Sequence, residues 1–204
     1  MRALLLIDLQ NDFCPFGALP VPEGDEVIPI ANQLMDRFDL VIATQDWHPA
    51  NHGSFAANHP WRNPGGVIQL DGLEQILWPI HCVQDSFGAE LVASLQQSKI
   101  NRIFTKGTDP LIDSYSGFFD NGHRKSTGLG EFLREQGVDN LYIMGLALDY
   151  CVKFSVLDAL ELGFHTYLIL DACRAVNLQP EDGARAVQLM QEKGAIIVYS
   201  NDIP

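Results

Sequence analysis

Short apolar runs alternate along the chain with longer stretches whose apolar residues recur every three or four positions. The runs lie at residues 3–7, 40–43, 103–105, 141–144, 166–170 and 195–198. Several are unbroken series of Leu, Ile and Val, the pattern of strands covered on both faces. Helical spacing appears at 26–37, 89–97, 130–136, 151–162 and 180–192. Regular alternation of strand and helix predicts an α/β fold with a parallel sheet and helices on both sides. One connection, from Asp46 to Asn101, is far longer than a usual crossover. Loops of that length without strands tend to carry function.

In open parallel sheets ligands bind beyond the carboxyl ends of the strands. Asp8 follows the first run, Asp46-Trp47-His48 the second, Lys106-Gly107 the third, and Cys151 lies shortly after the fourth. Cys151 falls at a strand-to-helix turn, with Asp149 placed as the helix N-cap and Gly163 just past the helix end. A thiol there feels the positive end of the helix, which favours the thiolate, and neighbouring N–H groups can hold an oxyanion. Each residue alone has a plainer reading: Asp8 as a turn cap, Lys106 as a solvated surface lysine, Cys151 as a small buried hydrophobe. Together they answer a chemical need. Asp8 can take the thiol proton and later protonate a leaving amine, while Lys106 steadies the anion.

The long connection holds a second constellation. Asp46 and His48 stand two apart and His81 follows in Trp78-Pro79-Ile80-His81-Cys82. One oxygen and two nitrogen donors with open positions suit a catalytic or substrate-binding divalent metal; polar-loop histidines that are merely exposed are the alternative. His52 is a further candidate ligand, whereas Cys82 reads as packing. Phe13, Trp47, Trp78, Tyr115 and Tyr150 lie in or beside these polar loops and would suit a flat, ring-sized pocket.

Composition narrows the class. At 204 residues and 47% hydrophobic content, one domain (1–204) with a metal- and substrate-binding insertion at about 46–100 is expected. The formal net charge of −13 argues against nucleic acid and anionic membrane as partners. Four scattered cysteines and no leader ahead of Met1-Arg2-Ala3-Leu4 fit a reduced cytoplasm. No G-x-G-x-x-G follows the first strand and no G-x-S-x-G occurs, which disfavours nucleotide-dependent oxidoreductases and serine hydrolases.

With these motifs assembled, the chain resembles the nicotinamidases of the isochorismatase-like hydrolase family over nearly its whole length. The resemblance is carried by Leu6-Ile7-Asp8-Leu9-Gln10-Asn11-Asp12-Phe13, Gln45-Asp46-Trp47-His48-Pro49, Trp78-Pro79-Ile80-His81-Cys82-Val83, Lys106-Gly107, Tyr115-Ser116-Gly117-Phe118-Phe119 and the stretch around Cys151. It implies a three-layer α/β/α sandwich with a six-stranded parallel sheet in the order 3-2-1-4-5-6. It implies catalytic Asp8, Lys106 and Cys151, and one divalent ion (zinc, iron or manganese) on Asp46, His48 and His81. A cis peptide just before Ala147 would let the Ala147 N–H share an oxyanion hole with that of Cys151. Phe13, Trp78, Tyr115 and Tyr150 match positions lining the ring pocket. The activity implied is metal-dependent hydrolysis of nicotinamide, and of pyrazinamide, through a cysteine thioester, with a homo-oligomer compatible with all of this.

Two positions depart from the family pattern. Leu148 stands where a threonine is usual, and Ser54 stands where some relatives have a histidine ligand. Alternatives are another amidase of the family acting on a carbamoyl or ureido substrate, and a non-enzymatic pyridine-binding or thiol-sensing module.

Overall fold

A computed structural model describes residues 1–204 of the chain. Its main sheet has six parallel strands: β1 (Arg2–Ile7), β2 (Leu40–Asp46), β5 (Arg102–Lys106), β6 (Asn140–Leu146), β7 (His165–Arg174) and β8 (Ile196–Val198). Across the sheet the order is β5-β2-β1-β6-β7-β8, which in sheet-strand sequence is the expected 3-2-1-4-5-6. The apolar runs explain which strands are central. Residues Ala3 to Ile7 of β1 are wholly buried, and Leu141, Ile143 and Met144 of β6 beside it are too. A separate antiparallel hairpin, β3 (Val67–Leu70) and β4 (Leu73–Ile76), lies inside the long connection.

Four α-helices accompany the sheet: α1 (Val27–Leu34), α2 (Leu129–Glu135), α3 (Lys153–Glu161) and α4 (Asp182–Glu192). Right-handed crossovers place α1 on one face and α2, α3 and α4 on the other, because the chain first steps one way from β1 and later the opposite way from β5. Each helix buries a stripe at helical spacing, such as Val27, Ile28, Ala31 and Leu34 of α1. Helix α3 ends where expected: Gly163 adopts φ +88°, a left-handed conformation that costs glycine little. The core is continuous from Ala3 to Ile203. No helix is long and apolar enough to cross a membrane.

Two local expectations need correction. Residues 89–97 form no α-helix; only their two ends touch short 3-10 turns. Gln10 and Leu91 form an antiparallel bridge, the Asn11 N–H donates to Glu90 O, and the Val92 N–H donates to Leu9 O. The apolar residues Leu91 and Leu95 are buried as the spacing required, but the backbone pairs with the chain leaving β1 instead of with itself. The long connection, expected to lack strands, carries the β3–β4 hairpin.

Candidate active site

Parallel strands all end at one edge, so the register of the sheet gathers the polar residues that lie just beyond them. Asp46 and Lys106 are direct partners in the β2–β5 ladder, and Ile7, just before Asp8, pairs with Gly145 of β6. Asp8, Asp46, Lys106 and Cys151 are all buried there. The Lys106 Nζ lies 2.9 Å from Asp8 Oδ2 and 2.5 Å from Asp46 Oδ1. It also donates to Ser114 O at 2.9 Å and faces Cys151 Sγ at 3.4 Å. Thr44 steadies Asp8 from behind, its hydroxyl donating to Oδ1 at 2.6 Å and accepting from the Asp8 N–H at 3.2 Å. Carboxylate oxygens of Asp8 and Asp46 and the Cys151 sulfur fall within 4.8 Å of one another.

Burial is the largest influence on these groups. It works to lower the Lys106 ammonium, but Asp46, Asp8 and Cys151 overcome it and hold that pKa well above the ordinary lysine value. For Asp8, burial raises the pKa against the pull of Lys106. Burial also pushes the Cys151 thiol well up, opposed by Lys106 and reinforced by Asp8 and Asp46. This corrects the expectation of a thiolate favoured by the helix start. Cys151 sits in one wide π-helical turn over Leu148–Val152, ahead of α3. Loss of hydration there outweighs the helix end and favours the neutral thiol.

Asp149 is not an N-cap either. Its carboxylate turns away from the helix and accepts the N–H groups of Val176 and Asn177 at 2.9 and 2.8 Å. It thereby ties the loop after β7 to the Cys151 turn. The Leu146–Ala147 peptide is cis, and the Ala147 N–H donates to no protein acceptor.

Beside the lysine lies the O/N/N group. Asp46 Oδ2 is 3.5 Å from His48 Nε2 and 3.9 Å from His81 Nε2. The donor atoms of the three residues lie within 4.8 Å of one another. Each ring has its other nitrogen committed: His48 Nδ1–H donates to Gly107 O and His81 Nδ1–H to Pro79 O, both at 2.8 Å. A carbonyl can only accept, so both rings carry a proton on Nδ1 and turn Nε2 towards Asp46. This is the outer support that metal-ligating histidines need. Burial works to lower the His48 pKa, but Asp46 overcomes it and raises it. Burial and the charge of His48 push His81 down to about 4, which keeps that ring neutral. The donor set fits a divalent metal.

His52 stands behind His48, ring centroids 4.3 Å apart. Its Nδ1 faces the Ser54 N–H and hydroxyl at 3.2 and 2.7 Å. The Ser54 side chain is thus engaged with His52. Cys82 is fully buried in the core.

One pocket joins both groups. Cys151, Asp46, His48 and His81 line it together with Phe13, Trp78, Tyr115, Tyr150 and Ala147. The aromatic wall is locked: Trp78 Nε1–H donates to Tyr115 OH at 3.1 Å, and the Trp78 and Tyr150 rings meet edge to face at 4.9 Å. Trp47 does not line the pocket; it packs, partly buried, against the core. Leu19, Val21, Asp113 and Val176 also line it and were not foreseen. Val176 had a usable signal. Strand β7 runs to Arg174, past the expected end at 170, and the loop beyond Arg174 reaches the same edge of the sheet. Asp113, two residues before Tyr115, accepts the Ser114 N–H and the Gln75 Nε2–H, and nothing in its local sequence separates it from a loop acid.

A six-stranded parallel sheet in this order, with Asp8, Lys106 and Cys151 gathered at its edge, is the isochorismatase-like hydrolase fold. The chain belongs to the isochorismatase family, whose domain model matches residues 2–202. It is 57% identical to a nicotinamidase of Escherichia coli, over 96% of this chain and 93% of that one. A solved nicotinamidase/pyrazinamidase structure from Acinetobacter baumanii superposes with a TM-score of 0.96 at 43% identity, covering 100% of this chain and 98% of the other. A pyrazinamidase of Pyrococcus horikoshii, solved in complex with zinc, matches with a TM-score of 0.78 at 40% identity, over 97% and 98% of the two chains.

Proposed function

We propose that the protein is a nicotinamidase that hydrolyses nicotinamide to nicotinate and ammonia, and also accepts pyrazinamide. The observation that carries this is a single aromatic pocket lined at once by a cysteine with acid and lysine partners and by an Asp/His/His donor set. Asp46, His48 and His81 hold one divalent ion, zinc in our reading with iron or manganese as alternatives, which supplies Lewis-acid coordination for a ring nitrogen. The chain works as one domain, with the connection between β2 and β5 contributing His48, His81 and Trp78. Four free, buried cysteines suit a reducing cytoplasm, where nicotinate would feed pyridine-nucleotide salvage.

The chain's own residues then account for the chemistry. Phe13, Trp78, Tyr115 and Tyr150 clasp the ring and exclude water. Asp8 takes the Cys151 proton as the sulfur attacks the carboxamide carbon, and the Lys106 ammonium offsets the negative charge. The N–H groups of Ala147 and Cys151 hold the tetrahedral oxyanion. Asp8 returns the proton to the amine, the C–N bond breaks, and ammonia leaves a thioester. Asp8 then accepts a proton from the water that cleaves the thioester, and nicotinate departs with the thiol restored.

Ammonia release by zinc-loaded protein decides the substrate. Nicotinamide should be turned over with a far higher kcat/KM than carbamoyl or ureido compounds. The reverse ranking would assign the chain to another amidase of the family, and stoichiometric binding without turnover would make it a binding module.

A further inference from the structure

A second group of donors lies outside the pocket just described. His123, Asp158 and Glu161 bring one nitrogen and two carboxylate donors within 4.8 Å of one another. Asp158 and Glu161 are three residues apart on α3 and so share a face of the helix. His123 comes from the loop before α2. That loop is shaped to present it: Asp120 Oδ1 accepts the N–H groups of Gly122 and Arg124, and His123 itself sits at φ +52°.

Asp158 is the unusual member. It is only 5% exposed, yet its Oδ2 has no hydrogen-bond partner. Its Oδ1 lies 3.2 Å from His123 Nε2. Burial raises the carboxyl pKa, with the neighbouring Ser116 hydroxyl and His123 working against that rise. Asp158 and His123 line a cavity together with Glu74, Tyr115, Ser116 and Asp120. A buried carboxylate oxygen left unpaired is costly, so it needs an explanation. The pair with His123 uses Oδ1, and the Ser116 hydroxyl near the carboxylate makes no well-formed hydrogen bond to Oδ2.

We propose that His123, Asp158 and Glu161 form a second divalent-metal site, separate from Asp46, His48 and His81, that takes a borderline first-row ion such as zinc. Ligand atoms around an ion held at about 2.0–2.1 Å lie about 2.9–3.4 Å apart, and the His123–Asp158 separation of 3.2 Å falls in that range. One imidazole favours zinc-like ions over magnesium or calcium, which take oxygen donors. Three protein ligands leave room for water, so the site is open on its outer side. The acids lining the cavity and the net charge of −13 concentrate cations there. A bound ion would clamp the loop carrying Ser114 and Tyr115 to the helix that follows Cys151. It makes no claim on the amide chemistry and stands or falls apart from it.

Zinc titration of the full chain, followed by calorimetry and by metal analysis after gel filtration, tests the site. The wild type should bind two equivalents, the second at micromolar free zinc. His123→Ala, whose side chain is half-exposed and so leaves the core intact, should weaken the second equivalent at least tenfold without touching the first. Asp158→Asn and Glu161→Gln should do the same. A His81→Ala background, which removes the pocket site, should still bind one equivalent, lost when His123→Ala is added. One equivalent in the wild type, or a second one that survives His123→Ala and Glu161→Gln, would overturn the proposal. So would a His81→Ala protein that binds none.

Discussion

At the scale of single residues, the site depends on one lysine shared between two groups. Lys106 touches Asp8, Asp46 and Cys151, so the acid–thiol pair and the proposed metal ligands are electrostatically one unit. Two consequences can be measured. Cys151→Ala should abolish turnover with an unchanged far-UV spectrum, whereas replacing Cys14 or Cys173 should leave the rate near that of the parent; ammonia release scores all three. In addition, Asp8→Asn combined with Lys106→Ala should cost scarcely more than either change alone, because coordinated groups are non-additive. Effects that multiply would mean that the two residues act independently. Leu148 belongs at this scale as well. It is buried beside Cys151, and the proposed oxyanion donors are backbone groups, so Leu148→Thr should alter kcat by less than about tenfold, or ~1.4 kcal/mol of barrier.

At the scale of elements, loops are held to strand ends by a few polar ties, and these should be sensitive. Asp149 joins the Cys151 turn to the loop after β7 through two charge-assisted hydrogen bonds. Asp149→Ala leaves both donors without that partner and should cost about 2–3 kcal/mol in urea unfolding, with turnover falling as Val176 leaves the pocket wall. Gly107 is a second tie. A Cβ there would come within 2.4 Å of His48 Cε1 and 2.6 Å of its Nδ1, at a backbone φ of +64°. Gly107→Ala should therefore displace the His48 ring and weaken the first zinc equivalent at least tenfold, read by titration of metal-free protein.

At the scale of the whole molecule, the fold should not need the pocket metal. The core runs through the entire sheet, and the Asp46, His48 and His81 cluster sits at its rim rather than inside it. Chelation should abolish turnover while circular dichroism stays largely unchanged; unfolding on chelation would make the site structural. Benzamide sharpens the question, since it keeps the flat ring and carboxamide but has no ring nitrogen. It should bind much more weakly than nicotinamide to metal-loaded protein, and the gap should shrink after chelation. Equal affinity in the presence of metal would remove the ion from ring recognition.

Local order and the gathering of polar residues at strand ends were legible from the chain itself. All six strands could be placed from apolar runs; in the central strands β1, β2 and β6 burial on both faces leaves little freedom in composition, while the edge strands β5 and β8 are partly exposed. Asp8, Asp46, Lys106 and Cys151 could be singled out because parallel strands finish at a common edge. The features that escaped the sequence were set by long-range contacts. Residues 89–97 have a helical stripe, but pairing with the segment after β1 took their backbone hydrogen bonds. The long connection had no apolar run strong enough to mark its hairpin, whose residues are exposed or half-buried except for the polar Gln75. The proton on Cys151 depends on how much water the finished fold removes, and burial outweighed the turn position that sequence alone could assess. Asp149 and Lys106 acquired their partners, Val176 and Asn177 for one and Asp46 for the other, only when distant strand ends met. Composition and periodicity thus determined the sheet and its reactive edge; the balance of charge, hydration and hydrogen bonding at that edge was decided by which loops closed over it.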